Sequence, residues 1–397
     1  MKSSRTMSGM RFGIAGFGIA GTLILSGCAL LAPPVQAPPP PAPVEPPKPQ
    51  YAAPIDTHKF EIDPQHDDVV GVVQVTVTSK EDTLPDIARR FNIGYEEIVR
   101  ANPGVDPWLP RAGREIVVPT QFVLPSAPRE GIVINVAALR IYYFQPAKPG
   151  EKQVVYTHPI GIGKVGWSTP EGTTKVISKQ KDPVWNPPRS VRAEHKENGD
   201  ILPAVVPAGP DNPLGRYKFT LAWPSYLIHG TNKPYGVGLR SSHGCIRLYP
   251  EDIEKFFGMI GPGTKVTVVN QPYVFGWHQD QLYLQAYNVL EDDKRDWASA
   301  QPKLLSKTMT RRIQTELKQR DESVDWARVA EITNDPRGLA LSVTRKDQDV
   351  AAVISEAPRV QNRVPVGANW DGADDPALQA QRDVEGMVTE QQQAPRT

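Results

Sequence analysis

Apolar and polar positions change their period several times along this chain. Phe12 to Gly27 is a run of 16 residues without charge, preceded by Lys2, Arg5 and Arg11. It is too short to cross a bilayer comfortably and reads as a secretory signal. Val75-Thr76-Val77 predicts a short strand. Leu84, Ile87, Ala88 and Phe91 then share one helix face, with Asp82 or Thr83 able to cap it; a second short helix and a closing strand at 116–118 follow. Between 129 and 270 the pattern is β-rich, with strands predicted at 132–136, 139–144, 154–156, 217–221 and 265–269. One helix interrupts them, where Ile253, Phe256, Phe257 and Ile260 recur at helical spacing after Tyr249-Pro250 and Gly261-Pro262-Gly263 ends the run. Tyr273 to Asn288 reads as a strand-bearing completion of this unit. Met309, Ile313 and Leu317, at four-residue steps, predict a solvated helix within 303–330, and from about Arg345 a Gln-, Asp- and Ala-rich composition predicts disorder.

Composition sharpens this picture. A length of 397 residues suits two or three domains, and 39% apolar with 22% charged residues suffices for packed cores. A net charge of +1 gives no bulk electrostatic case for nucleic acid. The 41 prolines are about twice ordinary usage. Eleven fall within residues 33–54, a polyproline spacer able to hold the next domain roughly 70 Å from its attachment point. The cysteines, Cys28 and Cys245, exclude a disulfide-rich scaffold and a multi-cysteine zinc or iron–sulfur site.

Leu25-Ser26-Gly27-Cys28 resembles a bacterial lipobox, in which the cysteine is lipidated and becomes the new N-terminus; cleavage near Ala32 or Ala37 is the plainer alternative. Ala29 is not the aspartate that retains lipoproteins at the inner membrane in enteric bacteria. The expected location is therefore the periplasm, with a lipid anchor in the outer membrane.

The chemistry centres on Cys245, in the run Ser241-Ser242-His243-Gly244-Cys245-Ile246-Arg247, with His229-Gly230-Thr231 upstream. A lone thiol in an oxidising compartment is either buried and inert or kept for its reactivity. Gly244 permits close approach, and two histidines nearby offer the base that a thiolate nucleophile needs. Amides flanking Cys245 would suit an oxyanion. A structural cysteine, and a metal site built from His229, His243 and Cys245, remain alternatives at this point.

These residues resemble a known family. His229-Gly230-Thr231 followed by Ser242-His243-Gly244-Cys245-Ile246-Arg247 is similar to the signature of the YkuD-type L,D-transpeptidases. The 75–119 pattern resembles a LysM domain, a βααβ fold that binds N-acetylglucosamine-containing glycans, with Glu81 where that family usually has glycine. Together they resemble the LysM-bearing branch, the YkuD / ErfK-YbiS-YcfS-YnhG family. The resemblance implies a mainly β catalytic domain, a YkuD-type β-sandwich, beside the LysM domain, a proline-rich linker and a helical, then disordered, C-terminal extension. It implies Cys245 as nucleophile, His229 as base, the Gly230 carbonyl orienting the imidazole, Ser242, His243 and Gly244 lining the site, and Arg247 holding the donor peptide. No cofactor and no metal are implied.

The reaction implied is cysteine acyl transfer in peptidoglycan. A tetrapeptide stem is cleaved between meso-diaminopimelate and D-alanine and passed through a thioester to an amine, giving a 3→3 cross-link or attachment of a small outer-membrane lipoprotein; water as acceptor would give carboxypeptidase activity. An inactive LysM-bearing wall adaptor is the alternative function, with a zinc peptidase behind it. Expected partners are stem peptides, glycan strands and the membrane. The boundaries expected are 1–27 signal, 28–72 lipidated cysteine and linker, 73–120 LysM, 129–270 catalytic, 271–290 completion and 291–397 tail.

Overall fold

A computed structural model of the protein describes residues 51–297, 301–345, 348–366, 368 and 370. The signal, Cys28, the proline run as far as residue 50 and the last 27 residues lie outside the described residues. Among those described, no helix is long and apolar enough to cross a membrane.

The β-rich region is organised by one long strand, Gly172–Lys181, that serves two neighbours. Its first residues pair antiparallel with Lys265–Val269, and beyond a register shift at Val176/Ser178 it pairs with Tyr217–Leu221. On one side the hydrogen-bonded order runs outward through Lys265–Val269, Gly131–Asn135, Arg140–Phe144, Gln153–Pro159 and Lys59–Ile62. On the other it runs through Tyr217–Leu221, Leu227–His229 and Ile246–Arg247. A bulge is a usual device for letting one strand turn between two packed layers. Ile132, Ile134, Ile141 and Val266 from the first group meet Phe219, Ile228 and Ile246 from the second, and Ile253 and Phe256 of helix Pro250–Met259 close the same core. The predicted strands and the helix are all present, and the mainly β architecture holds.

The small module is formed as its pattern predicts. Gln74–Val77 pairs antiparallel with Glu115–Val118, and helices Leu84–Arg90 and Tyr95–Ala101 lie between them in sequence. Thr83, rather than Asp82, caps the first helix, in a reciprocal capping box with Asp86. Glu81 keeps a negative φ, so its turn needs no glycine. Asn102 is structural: its amide nitrogen donates to the Ile98 and Val117 carbonyls at 2.8 Å, and its oxygen accepts from the Val117 amide.

This module is fused to the catalytic region. Arg89 makes a bidentate pair with Glu251, Asn92 donates to Asp252, and the amides of Tyr95 and Glu96 donate to the carbonyls of Val237 and Gly238. The backbones touch there. A Cβ on Gly94 would stand 2.6 Å from the Gly238 Cα, and Gly238 has φ +81°, so both positions exclude ordinary side chains.

The C-terminal third departs from expectation. Tyr273–His278 and Gln281–Ala286 do not join the catalytic strands; they form their own sheet with Ala340–Ser342. The single solvated helix is instead three helices, Gln301–Thr308, Arg311–Gln319 and Trp326–Asn334. Leu305, Met309 and Ile313 pack with Phe275, Trp277 and Leu284 and with Val73, Val75 and Val117 of the LysM strands. The predicted disorder beyond Arg345 is corrected for residues 348–366, while its remainder from 371 onward lies outside the described residues. Val350–Glu356 is a helix, after which Val360 donates to the Val75 carbonyl and Asn362 to Val77 and Asp82. The physical reason is the same throughout: the outer face of the LysM hairpin is apolar, and this extension covers it.

Candidate active site

Two short parallel strands build the site. Leu227–His229 pairs with Ile246–Arg247, with Ile228 opposite Ile246 and His229 opposite Arg247. Ile228 and Ile246 are fully buried in the core. Side chains alternate along a strand, so Leu227, His229 and Arg247 lie on the other face together, and Cys245 immediately precedes the second strand. The register sets His229 opposite Arg247, two residues after Cys245, and the Leu227 backbone lies against the Cys245 sulfur.

Close packing shapes the turn that carries Cys245. Gly244 has φ +100°, and a Cβ there would lie 3.0 Å from the Tyr226 ring. The Thr169 hydroxyl donates to the Gly244 carbonyl at 2.9 Å, and the Ser242 hydroxyl to the Cys245 carbonyl at 2.6 Å. Cys245 is partly exposed, and its thiol donates to the Ser225 carbonyl at 3.6 Å. Burial of the sulfur pushes the thiol pKa up, against smaller downward effects of the Leu227 backbone and Arg247.

His229 is buried, with Nδ1 2.6 Å from the Gly230 carbonyl. That contact places the proton on Nδ1 and leaves Nε2 a free lone pair. Burial, and after it the Arg247 charge, lower the His229 pKa to about 3, with the Gly230 and Leu214 backbones opposing. At neutral pH the site thus holds a neutral thiol and a neutral imidazole, the forms low polarity favours.

The remaining expected residues divide. His243 sits two residues before Cys245, its ring edge-on to Trp167 at 4.9 Å and its Nε2 3.1 Å from a Glu194 oxygen. Arg247 makes one side-chain hydrogen bond, Nη1 donating to the Ser241 hydroxyl at 3.2 Å; its Nε is buried without a partner, and its backbone amide and carbonyl pair with Gly161. Glu194, Lys164, Trp167 and Thr169 were not singled out by spacing. Glu194 comes from a polar helix, Arg189–Glu197, in an excursion between two strands, where nothing in sequence marks it as facing the site. Among the described residues no three of His, Cys, Asp and Glu converge as a ligand set.

Comparison with known proteins assigns both regions of the chain to families. Residues 129–268 match the YkuD family, the L,D-transpeptidase catalytic domain, and residues 76–119 match the LysM domain. The chain is 44% identical over 226 residues to the probable L,D-transpeptidase YcfS of Escherichia coli K12, covering 56% of this chain and 69% of that one. It is 37% identical over 289 residues to the probable L,D-transpeptidase ErfK/SrfK of Salmonella typhimurium, covering 72% and 91% respectively. Against the probable L,D-transpeptidase YbiS of Escherichia coli K12 the identity is 39% over 251 residues, covering 62% and 80%.

Proposed function

Since the chain belongs to the YkuD-type L,D-transpeptidase family, with a LysM domain beside its catalytic domain, we propose that Cys245 is its nucleophile and His229 its general base. The observation that supports this reading is the parallel register that sets His229 opposite Arg247, two residues after Cys245, with the imidazole held by the Gly230 carbonyl.

The donor is a peptidoglycan tetrapeptide stem. As the Cys245 sulfur attacks the diaminopimelate carbonyl, His229 Nε2 takes the thiol proton. The amides flanking Cys245 stabilise the oxyanion. Collapse breaks the C–N bond, the D-alanine amine leaves with the proton from His229, and a thioester remains. An acceptor amine then attacks that thioester and gives its proton to His229, and the thiol is regenerated. A diaminopimelate side-chain amine yields a 3→3 cross-link, a lysine of a small outer-membrane lipoprotein yields a wall tether, and water yields a tripeptide. The LysM domain brings the enzyme to glycan strands, with Asn102 shaping the fold rather than the ligand contact.

Lipidation of Cys28 completes this reading, placing the enzyme in the periplasm on the outer membrane. Cys28→Ala is expected to move the protein from the detergent phase to the aqueous phase; retention in the detergent phase would remove the lipid anchor.

Intact-mass spectrometry after carbapenem treatment tests the catalytic assignment. A covalent adduct on the wild type, none on Cys245→Ala, and release of D-alanine from a disaccharide-tetrapeptide are expected. No adduct and no release would instead mark an inactive wall adaptor. Turnover abolished by a chelator yet retained in Cys245→Ala would mark a metallopeptidase.

A further inference from the structure

We propose that Lys164 and His243 form a subsite for a substrate carboxylate beside Cys245, and that Glu194 fills it in the resting enzyme. The inference rests on the stem-peptide reading above and names a recognition element for it.

Lys164 and His243 belong to the wall of the site. The Lys164 amide donates to the Ser242 carbonyl at 2.9 Å, and the Trp167 amide donates to the Lys164 carbonyl at 2.8 Å. His243 lies two residues before Cys245 in the same turn and rests against Trp167. Glu194 arrives from elsewhere. One of its oxygens pairs with the Lys164 ammonium, and the other lies 3.1 Å from His243 Nε2. Its helix buries only Val191, so few apolar contacts hold Glu194 in place.

All three side chains are reachable by solutes, with 35%, 26% and 24% of the Lys164, Glu194 and His243 side chains exposed. Exposed ion pairs of this kind contribute little to stability. Their geometry still shows what the pocket accepts: a carboxylate with one oxygen on an ammonium and the other on an imidazole N–H. A tetrapeptide stem offers two such groups at its scissile end, the D-alanine terminus and the diaminopimelate side-chain carboxyl. Arg247 is engaged elsewhere: its Nη1 donates to the Ser241 hydroxyl at 3.2 Å and lies against Gly236, where a Cβ would stand 2.7 Å from it.

Calorimetric binding of the tetrapeptide to the full chain carrying Cys245→Ala tests this without turnover. Glu194→Gln added to that background is expected to tighten binding several-fold by removing the competing carboxylate. Lys164→Met is expected to weaken it roughly tenfold, and Lys164→Arg to restore most of the loss. Two further ligands, amidated either at the D-alanine terminus or at the diaminopimelate side chain, identify the group. The amide that no longer responds to either substitution carries the recognised carboxylate. Unchanged or weaker binding in Glu194→Gln would overturn the proposal, as would equal responses of the acid and both amides. Circular dichroism confirms folding of each variant. Release of D-alanine by the wild type is scored separately: without it the transpeptidase mechanism fails, while the binding arms still decide the subsite.

Discussion

Cys245→Ala is expected to abolish D-alanine release from a disaccharide-tetrapeptide, a loss on the order of 10⁴-fold or more, with the fold intact. The substitution removes one sulfur atom whose polar contact is a long 3.6 Å bond to the Ser225 carbonyl. The destabilisation should stay near 1 kcal/mol. His229→Ala should lower kcat/KM by roughly 10²- to 10⁴-fold, the range of a positioned general base. The pH dependence separates base-assisted attack from a standing thiolate–imidazolium pair. The Cys245 pKa is raised by burial and that of His229 is lowered to about 3. Below the raised thiol pKa the thiolate fraction grows about tenfold per pH unit, and His229 is already neutral throughout that range. Alkylation of Cys245 by iodoacetamide is therefore expected to climb steadily from pH 6 to pH 9. A plateau at lower pH would show a preformed ion pair and sink this account.

The candidate site was picked out in sequence because its signals are local. Glycine before a lone cysteine, a histidine two residues away and a second sixteen residues away are features a short stretch of sequence displays, and strand pairing then sets His229 opposite Arg247. The LysM module was legible for the same reason, since Leu84, Ile87, Ala88 and Phe91 fix a helix face that is fully buried. The C-terminal extension was not. The spacing of Met309, Ile313 and Leu317 shows that a helix has an apolar side, and says nothing about what that side meets. Here it meets Val73, Val75 and Val117, more than 190 residues earlier in the chain. Glu194 and Arg140 escaped notice because a charged residue in a polar helix or a strand reads as solvated. Their partners are supplied by the tertiary fold.

Arg140 yields the largest stability prediction. It lies in the strand Arg140–Phe144 with its side chain 0% exposed, paired with Glu97 of the second LysM helix, itself 5% exposed. Nε donates to one Glu97 oxygen at 2.9 Å and Nη2 to the other at 3.3 Å, while Nη1 reaches the Thr157 hydroxyl and Nη2 the Asn92 carbonyl. The guanidinium also stacks over Phe122 at 3.9 Å. Three of these hydrogen bonds, two to Glu97 and one to Asn92, thus join the LysM module to the catalytic strands. Arg140→Leu leaves the Glu97 carboxylate buried without its cation, and the loss of stability is expected to be about 3–5 kcal/mol in urea unfolding. Adding Glu97→Leu should recover part of that loss, because the stranded charge is then gone; the two substitutions should fall well short of additivity. Glu97 also accepts from the Gly94 amide at 2.7 Å, so recovery will be incomplete. The wild type should unfold in one transition across the catalytic and LysM regions. A change under 1 kcal/mol in Arg140→Leu, or two separate transitions in the wild type, would show that the module is merely tethered and that glycan capture and acyl transfer are mechanically independent.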